Sequence, residues 1–173
     1  MSWKVTQALQ NNLEYMTNKE FFLATVKEEA PKFRIAIEAL SEDQNAYKVH
    51  DRAREAGNIA SQLALQWKAI SGIIKNGAPD FNPHDMENQT KESMLAHFDE
   101  GATNLLNDIQ LVSEAEWETG DAAMGEMWVA KKYIMAWGFL FDAIHHRGQL
   151  TTYLRAMGAK VPPIYGPSAD SAN

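Results

Sequence analysis

No cysteine occurs in the 173 residues. Disulfides, thiolate metal ligands and a cysteine nucleophile are therefore excluded. Basic residues are outnumbered: 16 Lys and Arg stand against 23 Asp and Glu, for a net charge of −7. A phosphate-binding surface needs a basic stripe, and no long Lys/Arg run supplies one, so nucleic acid is not an expected partner. Long apolar runs are missing too. The best, "YIMAWGFLF", falls far short of the roughly 18 residues that cross a bilayer. The opening stretch "MSWKVTQALQNNLEYM" has neither the apolar core nor the small-residue cleavage site of a signal peptide. These absences lead to the expectation of a cytoplasmic protein with no membrane partner. Strand-like alternation and internal repeats are absent as well.

What is present suits a single globular domain: 45% of residues are apolar and 23% charged, enough to build a core and solvate it. Four long segments carry helical signals. "TNKE" is a capping box, Thr17 with Glu20 three residues on, and it opens a helix to about residue 40. Pro31 inside that helix predicts a kink or a break. The loop "SEDQNAYKVHD" leads to a second helix, 52–75, with Ile59, Leu63, Trp67, Ile70 and Ile74 on one apolar face. "NGAPDFNPHDMEN" is crowded with breakers and reads as a loop. The third helix, 89–111, spaces Met94, Phe98, Leu105 and Ile109 for burial, and "SEAEWETGDAA" reads as an acidic turn. The fourth, 127–157, stops at Gly158, and Pro162 and Pro163 forbid its continuation. The fold class is therefore all-α, an up-down four-helix bundle over residues 17–160. Residues 1–16 form an extension with a short helix of its own, and 161–173 an extended tail.

The fourth helix holds the chemistry. At about 100° per residue, Met135, Phe139, Asp142, His146, Gln149 and Tyr153 share one stripe, apolar at its ends and polar in its middle. Ile134, Trp137, Phe141, Ile144 and Gly148 make a second apolar face, which predicts a second partner such as another copy of the chain. Asp142 and His146 are expected to point inward, one turn apart. A buried carboxylate needs a cation or strong donors. Two readings follow: Asp142 and His146 share a divalent ion, or they belong to a satisfied polar cluster with Gln149 and Tyr153. A di-iron centre wants Glu-x-x-His on each of two helices, and only Asp142 with His145 approximates one. His50, His84 and His97 are read as solvated or surface residues.

The run "HHRGQLTTYLRAMGAKVPPIYGPSAD", with "YKVHDRAREAGNIASQLALQW" before it, resembles the DinB/YfiT-like superfamily. The resemblance implies a four-helix bundle, commonly dimeric, that holds a divalent metal on three histidines. In the better-characterised relatives it also implies activation of a low-molecular-weight thiol for transfer to an electrophile. The family's damage-inducible name implies a stress response. Carried over position by position, the metal set falls on Asn58, Asp142 and His146. Only one histidine of three is kept, and an amide oxygen is a poor ligand for nickel or zinc. The resemblance therefore leaves open a thiol-dependent transferase with a His-poor metal site, and a non-catalytic dimeric bundle whose metal site is lost. Glu55 and Gln62, a turn either side of Asn58, are further oxygen sources, with Glu55 read as solvated. Arg147 is read either as steering an anionic substrate or as bridging to a neighbouring helix.

Overall fold

A computed structural model describes residues 16–81 and 89–171. Among these are four long helices: α1 Asn18–Glu38, α2 Ala56–Asn76, α3 Lys91–Leu111 and α5 Lys132–Ala156. A short helix, α4 Glu114–Thr119, and an antiparallel pair, β1 Asp121–Met124 with β2 Trp128–Lys131, precede α5. The predicted all-α bundle is the architecture found. The short helix expected within 1–16, and His84, lie outside the described residues apart from Met16.

The capping box forms as read: Glu20 N donates to Thr17 Oγ1 at 3.2 Å and Thr17 N to Glu20 Oε2 at 2.8 Å. Pro31 lies inside α1 without ending it. Of the kink or break expected there, the break does not occur. α2 begins at Ala56 rather than at residue 52, because the amides of Ala56 and Gly57 are taken by the carbonyls of Tyr47 and Asn45 in the preceding loop. The last helix also begins late, at Lys132, because 121–131 forms the hairpin. The segment read as an acidic turn is thus α4, capped by Ser113, followed by a strand. At the far end the prediction holds: α5 stops at Ala156 and Gly158 takes φ +74°.

α2 is the central helix. Its predicted face, Ile59, Leu63, Trp67, Ile70 and Ile74, is at most 1% exposed. Ala60, Ala64, Ala69 and Ile73 are buried on its other sides, as expected for a helix enclosed by partners. It packs chiefly on α3 and α5, while α1 packs on α3 and α5 and least on α2. Consecutive helices α1 and α2 therefore face each other diagonally. Trp67 sits at the centre, its ring 5.3 Å from Phe33 of α1 and 5.2 Å from Phe98 of α3. No helix of the described residues is long and apolar enough to cross a membrane.

Of the α5 stripe read as inward, Met135 and Tyr153 are buried, but the centre of the inward side lies on a neighbouring row. Ala136, Leu140, Ala143, Arg147, Leu150 and Leu154 are its core positions. Spacing of three and four residues puts Arg147 in that row, and it is 1% exposed. The guanidinium is tolerated there because Glu29 of α1 meets it at 2.6 Å and the Phe33 ring lies 4.4 Å beneath it. Arg147 is thus the interhelical bridge, not a substrate-steering residue. Tyr165 of the tail completes the cluster, donating to Glu29 Oε2 at 2.9 Å and accepting from Arg147. Asp170 fastens the rest of the tail by accepting from Val161 N at 2.9 Å and pairing with Arg155 at 2.7 Å.

Candidate functional site

Rotating the core face of α5 toward Arg147 moves Asp142, His146 and Gln149 to its flank, opposite α2. The Asp142 side chain is 49% exposed and that of His146 17%. The inward orientation expected for Asp142 is not found: Ala143 and Arg147, its neighbours in the core row, take the interior. Asp142 Oδ1 and His146 Nε2 are 3.5 Å apart, and His146 Nδ1 lies 2.9 Å from Gln149 Oε1. Of the polar cluster read from the sequence, His146 and Gln149 join Asp142, while the Tyr153 hydroxyl donates instead to the Arg54 carbonyl at 3.2 Å.

α2 answers with amides. Gln62 and Gln66, one turn apart, both donate through Nε2 to Asp142 Oδ2, at 3.2 and 2.9 Å. Gln66 is 4% exposed and spends its second N–H on the Phe139 carbonyl at 2.9 Å. Gln62 donates also to Gln66 Oε1 at 3.3 Å and accepts from Arg54. The result is a chain of oriented groups running Arg54, Gln62, Gln66, Asp142, in which each buried polar atom has a partner. Gln62 was within view of the sequence reading as an oxygen source; it serves here as a donor. Gln66 was missed. The one signal available was a polar residue eight positions after Asn58, on the same face of an otherwise apolar helix.

The structure brings Asp142 and His146 together and engages Asn58 elsewhere. Asn58 is exposed, and its Oδ1 accepts from Gln89 Nε2 at 2.7 Å, while its carbonyl accepts from Arg54 at 3.1 Å. Glu55 pairs with Lys48 at the surface, at 3.2 Å, as its solvated reading implied. Among the described residues no three His, Asp or Glu side chains converge as a metal-binding group.

Beside this polar seam lies a cleft of about 460 Å³, within the range of small-molecule sites. Gln62, Gln66 and Asp142 form its polar corner. Ala69, Pro79, Phe81, Met124 and Phe139 are among its walls. Its far side therefore comes from the hairpin and from the segment after α2. The hairpin is tied down by Ala123 N donating to Gly77 O at 2.8 Å and by Trp128, which stacks on Phe139 at 6.2 Å.

A second surface feature lies where α5 meets the start of α1. Phe21, Ile134 and Phe141 are 50%, 44% and 60% exposed. Trp137 joins them, 5.5 Å from Phe21 and 5.4 Å from Phe141. These include three members of the second apolar face read from the sequence.

Comparison with known proteins agrees with the fold. The DinB family model matches residues 15–173. Among solved structures, a DinB-like protein (YjoA) from Bacillus subtilis superposes with a TM-score of 0.65 at 16% identity, over 84% of this chain and 96% of its own. A DinB-like protein from Bacillus cereus gives a TM-score of 0.69 at 16% identity, over 83% and 95%. Among curated proteins none matches the sequence.

Proposed function

Because the chain belongs to the DinB family, we propose that it uses the family's bundle as a small-molecule-binding scaffold, with the ligand in the cleft against Asp142 and no tightly held resident metal. The observation that carries this reading is the cleft itself: apolar walls, and a single corner where two glutamine amides and a carboxylate converge. Small-molecule sites have this composition, a mostly apolar concavity with a few placed polar groups that fix orientation.

The donor set is a poor fit to a borderline transition ion. The three carried-over positions hold an amide, a carboxylate and one imidazole. The amide oxygen accepts from Gln89, and one carboxylate oxygen accepts from two amides. Zinc and nickel favour nitrogen and sulfur donors, with closed sets of three or four. Two ligands on one helix leave too many positions to water. The same features favour the non-catalytic branch of the family over thiol activation at a metal.

Elemental analysis of the purified protein tests this. The expected outcome is zinc and nickel well below one equivalent, and a thermal midpoint unchanged by EDTA. One equivalent of a transition metal, lost in Asp142→Ala and stabilising the fold, would overturn the reading. A second reading, a weakly held ion shared by Asp142 and His146 in a thiol-dependent transferase, is favoured by the 3.5 Å spacing of those two groups. In that case an added divalent ion such as manganese would raise the midpoint, and Asp142→Ala would cancel the rise.

A further inference from the structure

Resting on the reading of the cleft as a ligand site, we infer that its ligand is a small amphipathic amine, with the ammonium group on Asp142 and the apolar body along Phe139, Met124 and Pro79. The assignment follows from which hydrogen-bonding capacity is left over. The Gln66 amide spends its two N–H groups on Phe139 O and Asp142 Oδ2, and the Gln62 amide spends its two on Gln66 Oε1 and Asp142 Oδ2. Neither amide has a donor remaining for a ligand. A carboxylate or phosphate would find no donor in this corner and would meet the charge of Asp142.

What remains is acceptor capacity. Asp142 Oδ2 is engaged by both amides, whereas the nearest polar group to Oδ1 among its described partners is His146 Nε2, at 3.5 Å, too long for a strong bond. Asp142 is the one charged residue among the described lining residues. A ligand head rich in N–H donors and carrying positive charge satisfies that oxygen; a neutral hydroxyl satisfies only the hydrogen bond. The net charge of −7 further favours approach of a cation. The walls then set the rest of the ligand, since they offer carbon and aromatic surface to a body of a few carbon atoms or one ring.

Titration with benzylamine, benzyl alcohol and benzoate at pH 8, followed by amide chemical shifts, tests the assignment with three probes of one shape. Benzylamine is expected to perturb resonances of Gln62, Gln66, Met124 and Phe139, and to bind about 10-fold tighter than benzyl alcohol, the low end for a charge-assisted bond because Asp142 is half-exposed. Benzoate is expected not to bind. In Asp142→Asn, which keeps an oxygen for the two glutamines, the amine and the alcohol should bind within about twofold of each other. Equal binding of amine and alcohol to the wild-type cleft would overturn the amine assignment while leaving the cleft as a ligand site. Absence of shifts at the cleft with all three probes would overturn both. Should Asp142→Asn fail to fold by circular dichroism, the wild-type comparison of amine with alcohol decides alone.

Discussion

Glu29 and Arg147 show how a charged pair enters a bundle core. Burial pushes the Glu29 carboxyl up, but hydrogen bonds from Arg147, Lys32 and Tyr165 outweigh it and hold its pKa below the ordinary value. The folded-state pKa is the lower one, so the pair's stabilisation is complete above the ordinary glutamate range and is lost as pH falls through the folded value. Removing Glu29 leaves the buried Arg147 guanidinium charged and without a carboxylate partner, at a cost of about 3–5 kcal/mol. Glu29→Ala should lose about that much in urea denaturation. Glu29→Gln should lose less, and its stability should depend less on pH between about pH 6 and about pH 3 than that of the wild type. In the sequence Arg147 looked like one more member of a polar run. Its burial was not readable, because the inward side of α5 is chosen by Leu140, Ala143, Leu150 and Leu154 packing on other helices. The same rotation explains why Asp142 and His146 were correctly paired by their spacing of four, yet placed too deep. Gln66 was hard to single out for the converse reason: flanked by Leu65 and Trp67, it sits at a core position where only its polarity marks it.

The helices themselves were readable wherever a local interaction sets them. Thr17 and Glu20 cap α1 through their own side chains, Gly158 ends α5 with a left-handed backbone, and the apolar face of α2 is a pattern within one segment. The hairpin was not. Its strands are four residues each, too short for alternation to show, and Ala122 pairs with Ala130 where side chains offer little preference. Its placement comes from contacts distant in sequence, with Gly77 and with the α5 surface under Trp128. Close packing of α2 on α3 likewise rests on one residue. A Cβ at Gly101 would meet Lys68 N at 2.8 Å and Trp67 Cβ at 3.1 Å, so the two helices approach backbone to backbone there. Gly101→Val is therefore expected to destabilise by about 1–3 kcal/mol, the range for forcing extra carbon into a filled core. The gain in helix propensity over glycine, a few tenths of a kcal/mol for valine, is too small to offset it. A urea midpoint equal to that of the wild type would show that the helices can move apart at no cost.

The exposed aromatic group shared by α1 and α5 bears on the molecule as a whole. Phe21, Trp137 and Phe141 form a contiguous cluster with Ile134 at its side, the kind of surface that monomers seldom leave uncovered. A homodimer through this face is the proposed assembly, and light scattering at micromolar concentration should give twice the chain mass. Phe141 is the position to test, because Trp137 also packs on Phe22 in the core, 4.9 Å away, and its loss would damage the single chain. Phe141→Glu should weaken association by about 30-fold or more while leaving the fold intact, as expected for a central aromatic contact. A wild-type monomer under those conditions would rule the interface out.

The cleft joins two kinds of wall, and that asymmetry has a consequence for recognition. Its amide-and-carboxylate side belongs to α2 and α5, whose positions are locked by the bundle core. Its opposite side is the tip of a two-stranded ribbon and the stretch after Gly77, joined among the described residues by the backbone bond from Ala123 to Gly77. Head groups are fixed by a carboxylate and two amides while tails meet only carbon and aromatic surface, so compounds that share one end and vary in the length of the other should be accepted as a series.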